Sequence, residues 1–227
     1  MNNISKIILG VFFTFIILML SGVLGMKITS MFDYFPAGFF NQFVIFVFSS
    51  VLIYYFNKKG IINFNINKII FKKIITPVLV IFVFLTIVEL TFIGLFESVN
   101  SDKTIFPAVS ILETFFIFIL LSSLSEELLF RGFLQNILEP IKPFGITVLK
   151  VKLSLPVLIS GVFFGLIHFS IITLGASFNF ALKIVFSAII IGIIAGYFQE
   201  KYNNFLIAFI VHVTANLSGV LLSTMLY

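Results

Sequence analysis

Apolar residues along this 227-residue chain come in blocks of about twenty, separated by short polar stretches. Blocks of that length cross the ~30 Å hydrocarbon core of a bilayer as helices. The pattern predicts spans at 7–26, 35–56, 74–96, 111–131, 155–173, 180–198 and 205–226. Within each block the apolar positions run all round, whereas the strands of a membrane barrel would alternate over about ten residues. The expected fold class is therefore all-α: a polytopic transmembrane helical bundle of about seven spans. No internal repeat or low-complexity linker divides it, so 1–227 reads as a single transmembrane domain.

Composition supports the pattern. The chain is 60% hydrophobic and 10% charged, against about a quarter charged in soluble domains. The first block is too long for a signal-peptide core, and "SGVLGMK" has no A-x-A-like cleavage site, so a retained first span is expected. There is no cysteine, which excludes disulfides and thiol chemistry. The net charge of +5 does not point to nucleic acid, because the lysines sit between spans.

Those lysines orient the chain. With the N-terminus inside, the inner side takes Lys6, Lys58, Lys59, Lys68, Lys72, Lys73, Lys142, Lys150, Lys152 and Lys201. The outer side or its edge takes Lys27, Lys103 and Lys183. By the positive-inside rule the N-terminus is expected in the cytoplasm and the C-terminus outside. The 33 phenylalanines and the preference for Lys over Arg have the bias of an AT-rich genome, and a bacterial cytoplasmic membrane is the expected location.

Polar groups within the spans change the picture further. A charge at mid-membrane costs at least ~2.5–3.5 kcal/mol, yet "LSEELLFRGFL" (124–134) holds Glu126, Glu127 and Arg131, the only arginine. Helical periodicity continues to Pro140, where the helix must stop, which puts Glu126 ~20 Å from that end. Both histidines of the chain, His168 and His212, also fall inside predicted spans. Residues four apart share a helix face, so Glu127 can pair with Arg131, and His212 and Asn216 can point into one cavity that Phe164 walls beside His168. Adjacent Glu126 and Glu127 face directions about 100° apart; the division expected is Glu127 locked by Arg131 and Glu126 facing the cavity.

Two carboxylates, two imidazoles and an amide in a buried pocket fit activation of water for hydrolysis. The amide of Asn216 with His212 fits stabilisation of an oxyanion. Glu and His are also zinc ligands.

"EELLFRG" (Glu126 to Gly132), "FGLIH" ending at His168 and "HVTAN" (His212 to Asn216) resemble the E-E-x-x-x-R, F-x-x-x-H and H-x-x-x-N motifs of the CPBP or ABI family. That family comprises type II CAAX prenyl endopeptidases and bacteriocin-processing or immunity relatives. The motif-bearing half is about 111–227. The resemblance implies an intramembrane endopeptidase with a polar catalytic cavity within the membrane. It makes Glu126 the water-activating base assisted by His168, His212 and Asn216 the oxyanion site, and Glu127, Arg131 and Phe164 supporting residues. H-E-x-x-H is absent, so no cofactor is expected to be required. If a divalent metal such as zinc is bound, Glu126, His168 and His212 are its expected ligands. The expected partners are the bilayer and a membrane-embedded or lipid-modified peptide or protein substrate.

Two further readings concern function without proteolysis. Glu89 and Glu113 add acidic groups that an ion- or proton-coupled transporter would use; interhelical hydrogen bonding and an interfacial position account for them more simply. A non-catalytic binding or immunity protein would keep the pocket without the chemistry. A serine-protease reading of "GASF" (Gly175 to Phe178) fails on Phe178, where a small residue is required.

Overall fold

The computed structural model describes residues 3–32, 34–36, 38–56, 70–96 and 110–226. The lysines expected at 58, 59 and 68, and Lys103, lie outside these residues. The elements are α1 (Asn3–Thr29), α2 (Phe39–Phe56), α3 (Ile70–Phe96), a helical run α4 (111–137), β1 (Gly145–Val148), β2 (Val151–Ser154), α5 (Leu155–Leu166), α6 (Phe178–Tyr202) and α7 (Phe205–Leu226). Six of the helical segments are long and apolar enough to cross a membrane. The protein is an all-α polytopic bundle, and helices satisfy every backbone group without water, as lipid requires.

The fourth expected span differs in kind from the rest. It is helical without interruption, but π turns at Thr114–Leu121 and Leu128–Leu134 flank the α-helical Ser122–Glu127. Short π segments are rare and concentrate at functional sites; here they bracket the two glutamates. The fifth span also changes character, passing at Ile167 from α5 into a 3₁₀ segment, Ile167–Leu174, that carries His168.

The second half of α4 is the centre of the molecule. Leu128 through Gln135 are all buried, and Leu129, Phe130, Phe133 and Leu134 form one core with Ile17 of α1, Ile45 of α2, Phe164 of α5 and Ala188 of α6. A second core joins α3, α6 and α7 through Ile81, Ala195, Ala208, Val211 and Ala215. Small residues occur at both interfaces of α6, Gly161 and Gly165 facing it from α5 and Ala195 meeting Ala208 of α7. A Cβ on Gly161 or Gly165 of α5 would fall 2.8 Å or 2.7 Å from the backbone nitrogens of Ile193 or Ile189, so glycine at this four-residue spacing permits the close approach. Several hydroxyls inside the spans bond to their own helix, as Thr14 donates to the Gly10 carbonyl and Ser50 to that of Phe46.

Between α4 and α5 the spacing predicts only a loop. The chain instead forms an antiparallel hairpin, pairing Gly145 with Ser154 and Val148 with Val151. Its strands are short enough that their alternation, I-T-V against V-K-L, is easily overlooked.

Candidate active site

Helix α4 supplies Glu126, Glu127 and Arg131. Glu127 and Arg131, one turn apart, pair through Oε2 and Nε at 3.2 Å with both side chains fully buried. The Arg131 guanidinium is committed twice more: Nη2 donates to the Gly192 carbonyl at 2.6 Å, and its carbon lies 5.0 Å from the centre of the Phe164 ring. A planar guanidinium that bridges a carboxylate, a carbonyl and an aromatic face is a role lysine fills poorly.

The other oxygen of Glu127, Oε1, lies 2.9 Å from His212 Nδ1. Helix α7 thus presents its histidine to the buried carboxylate, which fixes the imidazole plane. The opposite ring nitrogen, Nε2, faces Glu126 Oε2 at 3.9 Å, beyond direct hydrogen-bond distance. Glu126 is the less enclosed of the two carboxylates, with 14% of its side chain exposed. Glu127 is thus paired with Arg131, while Glu126 is partly exposed.

His168 enters from the 3₁₀ segment. Its Nδ1 lies 2.8 Å from the Phe164 carbonyl; a carbonyl can only accept, so Nδ1 carries the proton and Nε2 presents the lone pair in the neutral ring. Phe164 gathers the arrangement. Its buried ring makes edge contacts with His168 at 5.0 Å and His212 at 5.3 Å, and Arg131 covers it. Asn216, one turn after His212, points its amide elsewhere: Nδ2 donates to Ser123 Oγ at 3.0 Å and to the Phe118 carbonyl at 3.3 Å. Both contacts lie on α4, so Asn216 ties α7 to the helix that carries the glutamates.

Two residues at the site carried no warning in the sequence. Gln42 of α2 donates from Nε2 to Glu126 Oε1 at 3.1 Å, and its own Oε1 accepts from Ser125 Oγ. In "FFNQFVIF" it reads as the polar start of a span; only the packing of α2 against α4 brings it to Glu126. Ser123, fully buried, is the partner of Asn216 and lies in a serine-rich stretch that reads equally as helix-facing hydroxyls.

Metal binding requires ligands that converge. Among the described residues no three His, Cys, Asp or Glu side chains stand together in a way that could hold a metal ion. Glu126, His168 and His212 are thus not gathered as a ligand set in this arrangement. Glu89, the group that a transport path would use, is instead bonded by Lys183 Nζ at 3.0 and 3.2 Å.

No curated protein and no solved structure proves similar to the chain. Residues 107–218 match the family described as Type II CAAX prenyl endopeptidase Rce1-like. That stretch contains both glutamates, Arg131, both histidines and Asn216, and it excludes α1–α3. With the motif residues on α4, on α5 and the 3₁₀ segment that continues it, and on α7, this membrane-spanning chain belongs to the CPBP family of CAAX-type intramembrane endopeptidases and is, in general terms, a peptidase.

Proposed function

We propose that the protein hydrolyses peptide bonds of a membrane-associated peptide or protein with water activated by Glu126, without a required cofactor. The supporting observation is the unequal setting of two neighbouring carboxylates. Glu127 is neutralised by Arg131 and spent on orienting His212. Glu126 keeps an open oxygen, and Gln42 steadies its other one. A general base must reach both the water and the scissile carbonyl, and Glu126 is the partly exposed carboxylate of the pair.

The step runs as follows. Glu126 takes a proton from water as the water oxygen bonds to the scissile carbonyl carbon. The carbonyl oxygen becomes an oxyanion, to which His212 donates from Nε2–H in its doubly protonated form, with Nδ1–H held on the Glu127 carboxylate. Asn216 joins it by exchanging its bond to Ser123. Removal of one such donor typically costs about 10²–10³ in rate. As the tetrahedral species collapses, the Glu126 carboxyl returns its proton to the amine nitrogen and the C–N bond breaks. His168, with its Nε2 lone pair, assists that transfer. On this reading the cavity opens to a bacterial cytoplasm, the N-terminus lies inside and the C-terminus outside, in keeping with the lysine bias.

The test compares wild type with Glu126→Gln in nanodiscs, each incubated with lipid-modified and apolar peptides and analysed by mass spectrometry. Cleavage by wild type alone supports the proposal and names the substrate class. Equal cleavage by both variants overturns the role of Glu126. Retention of peptide by both without cleavage favours a binding protein.

A further inference from the structure

The hairpin between α4 and α5 is rooted where two membrane helices end and is firmly tied there. Leu155 N–H donates to the Phe144 carbonyl at 2.8 Å, Ser154 Oγ donates to Glu200 of α6 at 2.8 Å, and Lys152 Nζ donates to the Pro143 carbonyl at 3.1 Å. Opposed residues of an antiparallel pair share a face. The register pairs Ile146 with Leu153 and Val148 with Val151, so one face is wholly aliphatic, while Thr147 and Lys152 occupy the other. Ile146, Val148 and Val151 are exposed, Phe144 at the root is exposed, and Leu149 at the tip is 93% exposed.

The turn is unusual as well. Leu149 and Lys150 both have positive φ, 48° and 66°, a two-residue turn that normally takes Asn-Gly. Water would favour polar residues at each of these positions. The charges nearby are predominantly positive: Lys142, Lys150 and Lys152, with Lys201 on α6, against Glu139 and Glu200. Glu200 is already engaged by Lys142 at 3.7 Å and by Ser154.

We propose that this hairpin is a lipid-docking element, with its aliphatic face and Leu149 seated in the acyl boundary and Lys150 and Lys152 on anionic headgroup phosphates. An apolar face flanked by lysines is the chemistry that binds the interface of an anionic bilayer. The position adds to this, because an element anchored at two helix ends is held at membrane level and gives up little freedom on docking. Docking there would also fix the start of α5, the helix that carries Phe164 and leads to His168.

The chain has no tryptophan, so one introduced residue is a clean reporter. The full chain carrying Leu149→Trp, and separately Thr147→Trp on the opposite face, is placed in nanodiscs of neutral lipid and of neutral lipid with phosphatidylglycerol. Docking predicts a blue-shifted Leu149→Trp emission quenched by lipids brominated near the carbonyl region, while Thr147→Trp stays open to aqueous acrylamide. Lys150→Gln with Lys152→Gln should abolish the dependence on phosphatidylglycerol. Val148→Trp, on the same aliphatic face, serves if the tip variant fails to fold. Two reporters that are equally wet and insensitive to brominated lipid overturn the proposal. Shielding that appears only when an apolar peptide is added also overturns it and makes the face a peptide site. The readout is independent of proteolysis, so it stands apart from the proposed activity.

Discussion

Glu127 Oε1 and His212 Nδ1 stand 2.9 Å apart in the interior of the bundle, linking α4 to α7 through a carboxylate whose other oxygen faces Arg131. The contact joins two sequence motifs 85 residues apart and leaves Glu126, the adjacent residue, for different work.

Removing one member of the buried pair strands the other charge. Arg131→Met and Glu127→Gln should each destabilise the protein by about 3–5 kcal/mol, whereas Glu126→Gln, at a less enclosed position, should change stability by about 1 kcal/mol or less. Reversible unfolding in mixed micelles measures all three. Equal losses at Glu126 and Glu127 would contradict the unequal setting.

Gln42→Leu removes the amide that fixes Glu126 Oε1. A hydrogen bond to a charged group contributes about 1.5–3 kcal/mol, so kcat should fall on the order of tenfold to a hundredfold with little change in KM. Michaelis kinetics on any substrate found for the wild type would decide. A change confined to KM would place Gln42 in substrate binding instead.

Gly165 lies against the α6 backbone, where an added Cβ would sit 2.7 Å from Ile189 N and 2.9 Å from the Val185 carbonyl. Gly165→Ala should cost about 1–3 kcal/mol through overpacking. It should also lower activity, because His168 follows three residues later. Thermal unfolding and cleavage are measured on the same preparation; wild-type behaviour in both would show that the helices are not in close contact there.

The Lys183–Glu89 pair is predicted to be structural. Lys183→Met and Glu89→Leu should each destabilise, and the double substitution should recover most of the loss, since a buried ion pair replaced by apolar groups is often neutral. Ion flux in vesicles that vanishes with Glu89→Leu would revive a transport path.

Cleavage should persist after dialysis against a chelator. The geometry behind this is the separate engagement of the two histidines, His212 with Glu127 and His168 with the Phe164 carbonyl. Activity lost on chelation and restored by zinc would require the ligands to regroup and would overturn the metal-free mechanism.

The sequence by itself determined the class of fold and pointed to the polar residues inside the spans as candidates for the site. Twenty-residue apolar blocks admit little but helices in lipid, and charges placed inside such blocks are too costly to be incidental. Spacing of four paired Glu127 with Arg131, because that relation is local to one helix. The tertiary structure decided the rest. It gave His212 to Glu127 and turned the Asn216 amide toward Ser123, since which groups meet across helices depends on how α4, α5 and α7 pack. It also brought Gln42 to Glu126 from a helix that carries no motif. The π turns around the glutamates and the hairpin after them were likewise hidden: apolar residues fit a wide turn as well as an α turn, and four-residue strands leave too short a period to read. What one helix turn fixes is legible along the chain; what depends on neighbours distant in sequence is settled only when the helices close around α4.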